Sequence, residues 1–336
     1  MLQPFPVRSF EQLRADLSVA APEARTIPAE ALTFSTGGTL AAAVVPAGLG
    51  RPQDFPPDTA GKIALVQRGE IFFEDKVENA ADAGALAAII YNNQPGDLHA
   101  SLGDESRIPA VAVDQAYGQA LVDLLAAGPV TVRLDVETRI SEAQSQNVVA
   151  RPPGQACRVI AGGHYDSVPQ GPGANDNGSG TATVIEMART LAADGEFDPV
   201  CFALFGSEEV GLIGSAFYAG SLSEEERSQV KGMLNFDMLA VGGSWPLSGS
   251  REIVDAAAAE AQQLGLDYST ESGPPAGTGS DHASFIDAGI PAILFNCFCD
   301  EHYHTAEDRF EFVQEGRLAE AGALGLGVIA RLLGAP

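Results

Sequence analysis

Short apolar runs separated by longer stretches of helical periodicity dominate the second half of this chain. Residues 158–162, 200–205, 231–236 and 292–297 are mostly Val, Ile, Leu, Phe, Ala and Met. Runs this short and this continuously apolar read as strands buried on both faces. Around them, apolar residues recur at helical spacing over 178–193, 211–220, 251–264, 282–288 and 315–333, while 146–150 and 266–269 read as further short strands. Strand alternating with helix predicts an α/β fold, a mostly parallel twisted sheet with helices on both faces.

The first half has its own plan. A strand and turn at 61–69 lead to helical spacing over 73–86, a β-run at 87–91 closed by Asn92-Asn93-Gln94-Pro95-Gly96, a strand at 108–113 and a helix at 115–126. With 336 residues the chain exceeds the usual single domain. The predicted division is a smaller α+β domain in 23–141 and the body of a larger domain in 142–336. The smaller domain offers no evident catalytic group, and Lys76 and Arg68 read as helix-surface and turn residues.

Candidate chemistry sits just past the end of each strand in the larger domain. The first ends in Gly162-Gly163 and leads to His164, Asp166 and Asp176. Imidazole nitrogen and carboxylate oxygen suit a divalent ion such as Zn²⁺, and a carboxylate placed between two ions can bridge them. Asp166 shares a face with His164 in an extended chain, so its carboxylate is expected to accept the imidazole N–H. The second strand ends in Ser207-Glu208-Glu209, where one acid can ligate and its neighbour take a proton. The third ends in Asp237, and the fourth leads to Asp300-Glu301-His302-Tyr303-His304. Ligands of open α/β sheets gather beyond the carboxyl ends of the strands, so these groups are expected to converge.

In this order and spacing, the segments HYDSV, GANDNGSG, FGSEEVGLIGS, NFDM, SDHASF and YHTAED resemble the di-zinc aminopeptidase family, whose relatives include glutamate carboxypeptidase and the transferrin receptor. The resemblance covers residues 145–336. It implies that His164 and Asp237 hold one zinc, that Glu209 and His304 hold the other, and that Asp176 bridges the two Zn²⁺ ions. It further implies Glu208 as general base, Tyr303 as hydrogen-bond donor to the tetrahedral intermediate, and a cis peptide after Asp176. The Tyr-His-Thr context favours His304 over His302 as ligand. Asp308 is a candidate to orient the His304 ring. Asp281 and His282 either border the substrate pocket, as in the family, or merely start a helix, with Asp281 as its cap. Residues 23–141 resemble the protease-associated domain of secreted peptidases, which implies a secreted or periplasmic protein. By the same resemblance residues 1–22 would be a leading strand of the larger domain; the long first helix that precedes that strand in the family has no counterpart before Leu2, which would leave part of one sheet face exposed.

Net charge of −26 argues against nucleic acid and anionic membranes as partners. No apolar stretch approaches the roughly eighteen residues of a membrane span, and the opening residues lack the pattern of a signal peptide. The expected substrate is the N-terminus of a peptide, with oligomeric state left open. A carboxypeptidase of the same architecture would need a cation near the metals, and Arg309 is the one basic residue near a ligand motif. A receptor-like relative would have lost ligands. Phe285 or Ile286 could line a pocket for leucine-like side chains, or pack in the core. Cys157 and Cys201 lie at equal distances before His164 and Glu208, so they either pair across neighbouring strands or stay free and buried. Cys297 and Cys299 would point the same way on a strand, a poor disulfide geometry.

Overall fold

Strand order and the side-chain alternation along each strand explain where everything else sits. The structure, a computed structural model, describes all residues except 97, 196–198, 271–278, 298 and 335–336. The chain forms two compact units, one from Met1–Val7 and most of the chain from Gln144 onward, the other from Arg8–Ala143.

In chain order the smaller unit contains most of β1 (Leu2–Ala21), β2 (Arg25–Ile27), β3 (Glu30–Ala31), β4 (Gly38–Pro46), β5 (Ile63–Gln67), α1 (Phe73–Asp82), β6 (Ala87–Tyr91), β7 (Ala110–Val113), α2 (Gln115–Ala127) and the first part of β8 (Thr131–Ala150). Strands β4 to β7 run parallel, with β3 and β8 antiparallel at the two ends. Ile63, Leu65, Ile89 and Val111 share an apolar cluster with Leu121 of α2; Ala64, Val66, Ile90 and Ala112 share another with Val77 of α1. Leu17 and Val19 of β1 join the first cluster, so the boundary falls near Val7 and not at residue 22. Lys76 is a correction. It is fully buried, not on the helix surface, and its ammonium donates to the carbonyls of Leu49 and Gly69. Burial lowers its pKa to about 8.

The larger unit continues with β9 (Val159–His164), α3 (Gly180–Asp194), β10 (Val200–Phe205), α4 (Ile213–Ser221), α5 (Glu224–Gln229), β11 (Gly232–Phe236), β12 (Trp245–Gly249), α6 (Arg251–Leu264), β13 (Tyr268–Ser269), α7 (His282–Asp287), β14 (Ala292–Phe295) and α8 (Glu315–Leu333). Its sheet order is β13-β12-β14-β11-β9-β10-β8. The central strands β14, β11, β9 and β10 are parallel, while β12 and the end of β8 are antiparallel flanks. Successive residues face opposite layers. Val159, Ala161, Val200, Phe202, Leu234 and Phe236 cluster with α3, α6 and α8, whereas Ile160, Cys201, Ala203, Phe205 and Met233 cluster with α4 and α7. Helices therefore cover both faces, and each fully buried side chain such as Phe205 contributes roughly 1.5–3 kcal/mol. No helix among the described residues is long and apolar enough to cross a membrane.

Both cysteine pairs are disulfides. Cys157–Cys201 ties the approach to β9 onto β10, resolving the two options left open by the sequence. Cys297–Cys299 overturns the expectation that these residues do not pair. The strand stops at Phe295, two residues earlier than predicted, so the alternation that would keep the two thiols parallel does not apply.

Candidate metal centre

Parallel strands deliver their carboxyl ends to one edge of the larger sheet. His164 is the last residue of β9 and lies in register with Phe205 of β10; Glu208 and Glu209 come just after β10, and Asp237 just after β11. Asp176 sits between β9 and α3, with a cis peptide to Asn177 as the resemblance implied. Ser207, Met238 and His304 adopt the left-handed region, with φ of 62°, 54° and 58°. Backbone held in that region by non-glycine residues is strained, and here it flanks or carries candidate ligands. A Cβ on Gly180 would collide with the Phe236 carbonyl, so only glycine lets α3 start this close to β11.

The side chains meet. His164 Nε2 lies 3.3 Å from Asp176 Oδ1 and 3.4 Å from Asp237 Oδ1. His304 Nε2 lies 3.1 Å from Asp176 Oδ2 and 3.1 Å from Glu209 Oε2. Two ligands bound about 2.0–2.1 Å from a tetrahedral ion stand roughly 3.3 Å apart, so these spacings are those of ligands around zinc. Glu209 Oε1, Asp237 Oδ1 and His304 Nε2 are buried with no hydrogen-bond partner among the described residues. Glu208 groups with His164 and Asp237, each offering an atom within 4.8 Å of the others.

Charge makes the same point. Asp176, Glu208, Glu209 and Asp237 outnumber the two imidazoles, and buried carboxylates without compensation are costly. Burial pushes the Glu208 and Glu209 carboxyls up. It also works against protonating the imidazoles, but the surrounding acids outweigh it, raising His164 and holding His304 at about 9. Burial would raise Asp176 too, yet the two imidazoles beside it, at 3.3 and 3.1 Å, keep it below the usual carboxylate range. A site this electronegative is built for cations.

Comparison with known proteins identifies the family. Residues 147–329 match the model of peptidase family M28, and residues 24–121 match the PA domain. The chain belongs to peptidase family M28. It is similar to Aminopeptidase YwaD of Bacillus subtilis, 37% identical over 310 residues that cover 85% of this chain and 65% of the relative. It is also similar to Leucine aminopeptidase 2 of Arthroderma otae, 37% identical over 71% of this chain and 51% of the relative. The M28 chain thus spans between about half and two thirds of these curated relatives' length. Among solved structures, the aminopeptidase from Aneurinibacillus sp. strain AM-1 aligns with a TM-score of 0.82 and 33% identity, covering 99% of this chain and 84% of that one. BSAP, a zinc aminopeptidase from Bacillus subtilis, aligns at 0.73 with 32% identity, covering 98% and 84%.

Several residues of the M28 chain take roles other than those expected. His164 Nδ1 is 3.0 Å from the main-chain oxygen of Asp166 but 3.7 Å from its carboxylate. The Asp166 carboxylate instead accepts the amides of Glu208 and Glu209, at 3.1 and 3.3 Å. Thus one residue orients the imidazole by its backbone and the paired acids by its side chain. Tyr303 stacks on the His304 ring at 3.7 Å, and desolvation, then the nearby carboxylates of Asp176 and Glu209, keep its phenol protonated. The His302 ring packs against Phe312, with centroids 4.3 Å apart and the planes tilted by 33°.

Asp281 is fully buried and makes no capping bond, which removes the helix-cap alternative, and His282 is buried beside it. Asp308 does not do what was expected of it. Its two oxygens accept the amides of Asn175 and Asp176. Phe285 packs with Phe205 and Tyr218 in the core, which removes it as a pocket candidate, while Ile286 is exposed. Arg309 is tied to Glu307 and to the Ala306 carbonyl. The residue missed altogether is Asn175, whose sole sequence signal is its place immediately before Asp176.

Proposed function

We propose that the chain is a zinc-dependent aminopeptidase with two metal positions, His164 and Asp237 holding one ion, Glu209 and His304 the other, and Asp176 bridging. The observation that carries this reading is Asp176 itself, whose Oδ1 faces His164 and whose Oδ2 faces His304. Ions held there would supply Lewis-acid polarisation of the scissile carbonyl and lower the pKa of a nearby water. Glu208, buried beside His164 and Asp237, takes the proton of that water and returns it to the leaving amine. Tyr303, kept neutral, donates to the oxyanion as it develops. Asp166 keeps the paired acids aimed by holding both of their amides.

The excess of carboxylates favours substrates that bring a positively charged α-amine. Arg309 is already paired with Glu307, so it offers no free cation to a C-terminal carboxylate, which supports the aminopeptidase over the carboxypeptidase reading. The names of the relatives, aminopeptidases in each case, support the same choice. Two disulfides support export from the cytosol. Hydrolysis of amino-acid anilides and of dipeptides with a free C-terminus, with and without chelator and alongside metal analysis, tests the proposal. The expected result is chelator-sensitive cleavage of the anilides with two zinc ions per chain. Cleavage that survives complete metal removal would overturn it.

A further inference from the structure

We propose that Asp308 is a positioning residue for the bridging carboxylate, acting through the main chain of the segment that precedes it, an inference that rests on the two-ion reading above. An aspartate has only two side-chain torsions, so where its oxygens land is set by where its backbone is held. Asp176 must present one oxygen to each of two histidines, and its backbone is not regular. Residues 176 and 177 have non-helical torsions between β9 and α3, with φ/ψ of −106°/87° and −133°/47°. The amides entering this kink have no strand partner to hold them.

Asp308 supplies one. The Asn175 amide donates to its Oδ1 at 2.7 Å, the Asp176 amide to its Oδ2 at 3.0 Å, and the Ala174 amide to its main-chain oxygen at 3.2 Å. Three consecutive amides converge on one residue that is only 4% exposed. Bonds from amides to a carboxylate are about twice as strong as neutral ones, and burial keeps water from replacing them.

Asn175 extends the clamp. Its Nδ2 donates to Asp300 Oδ2 at 2.6 Å, and its Oδ1 accepts the amide of Ala240 at 2.8 Å. Asp300 Oδ1 in turn accepts the amide of His302. The segment before Asp176, the one after Asp237 and the one carrying His304 are thereby laced together around residues that are not themselves ligands.

The test uses the full chain with Asp308→Asn and Asp308→Ala. An asparagine is isosteric but has one acceptor oxygen, so its amide group would confront one of the two donors; alanine removes both acceptors. Zinc affinity by chelator competition, kcat and KM on an amino-acid anilide, and the melting temperature of the metal-free protein are measured together. The expected result is zinc affinity and kcat lowered about 10- to 100-fold in Asp308→Asn, further in Asp308→Ala, with KM little changed. A purely structural role would lower the metal-free melting temperature and leave the folded fraction with normal zinc affinity and kcat, and that result overturns the proposal.

Hydrogen exchange on the metal-free wild type gives a check that needs no variant. The Asn175 and Asp176 amides are expected to be protected, and rapid exchange there while β9 stays protected would sink the idea even if the variants do not fold. A wild type that loads a single ion counts against the two-ion reading, and the exchange measurement then still decides the clamp.

Discussion

Replacing Glu208 with glutamine is the sharpest probe of the chemistry. The change preserves shape, and the Glu208 amide stays anchored on Asp166, so the side chain still starts from the same point. None of the close contacts between His164, Asp176, Glu209, Asp237 and His304 involves it. Metal content and KM are therefore expected to match the wild type. The lost element is a group that can take a proton, and general-base catalysis contributes about 10²- to 10⁴-fold, or roughly 3–5 kcal/mol of barrier.

The assay is steady-state anilide hydrolysis across pH, with metal analysis of the same samples. Wild-type kcat should climb with pH as Glu208 loses its proton, and the climb should be absent in Glu208→Gln. A variant that turns over within about threefold of the wild type with both ions bound would refute the assignment. Loss of metal in step with rate would show that Glu208 ligates and does not act as a base.

Two further outcomes concern groups away from the reacting atoms. Cys157–Cys201 closes a loop spanning 44 positions, so replacing both with serine should cost up to roughly 4 kcal/mol in urea unfolding of the metal-free protein; a loss under about 1 kcal/mol would contradict the loop-closure reasoning. Burial lifts Asp281 to about 7, well above its unfolded value. Its folded form holds the proton more tightly, so its contribution is intact below about pH 4 and is lost as pH rises through 7. Asp281→Asn should flatten that decline in melting temperature between pH 5 and 8, and an unchanged slope would rule Asp281 out as its source.

The sequence discloses the parallel strands because residues such as 200–205 are buried on both faces and need no polar alternation. It points to His164, Glu208, Glu209 and Asp237 because ligands at such strands cluster just past the last apolar residue. β12 escapes a reading of pattern because Pro246 interrupts a strand of only five residues, whose partner at that position is the two-residue β13. Most of β8 escapes it because Val132, Leu134 and Val136 alternate with Arg133 and Asp135, a single-sided pattern diluted by charge. Asp166 and Asp308 depart from expectation for a common reason. Spacing shows which side chains share a face, but not that a carboxylate will prefer main-chain amides to a neighbouring ring. Phe285 and the cysteine pair after β14 depend on where a helix packs and where a strand stops, which no local pattern encodes.

The order of the central strands in space, β14-β11-β9-β10, differs from their order along the chain, and each contributes to the same edge. No contiguous fragment short of the region from His164 to His304 can therefore gather the full set of donors. Ion capture must come after the long-range pairings have formed, so zinc uptake during refolding would time-stamp completion of the sheet. It would also act as a ratchet, since bound metal opposes the parting of any one of these strands.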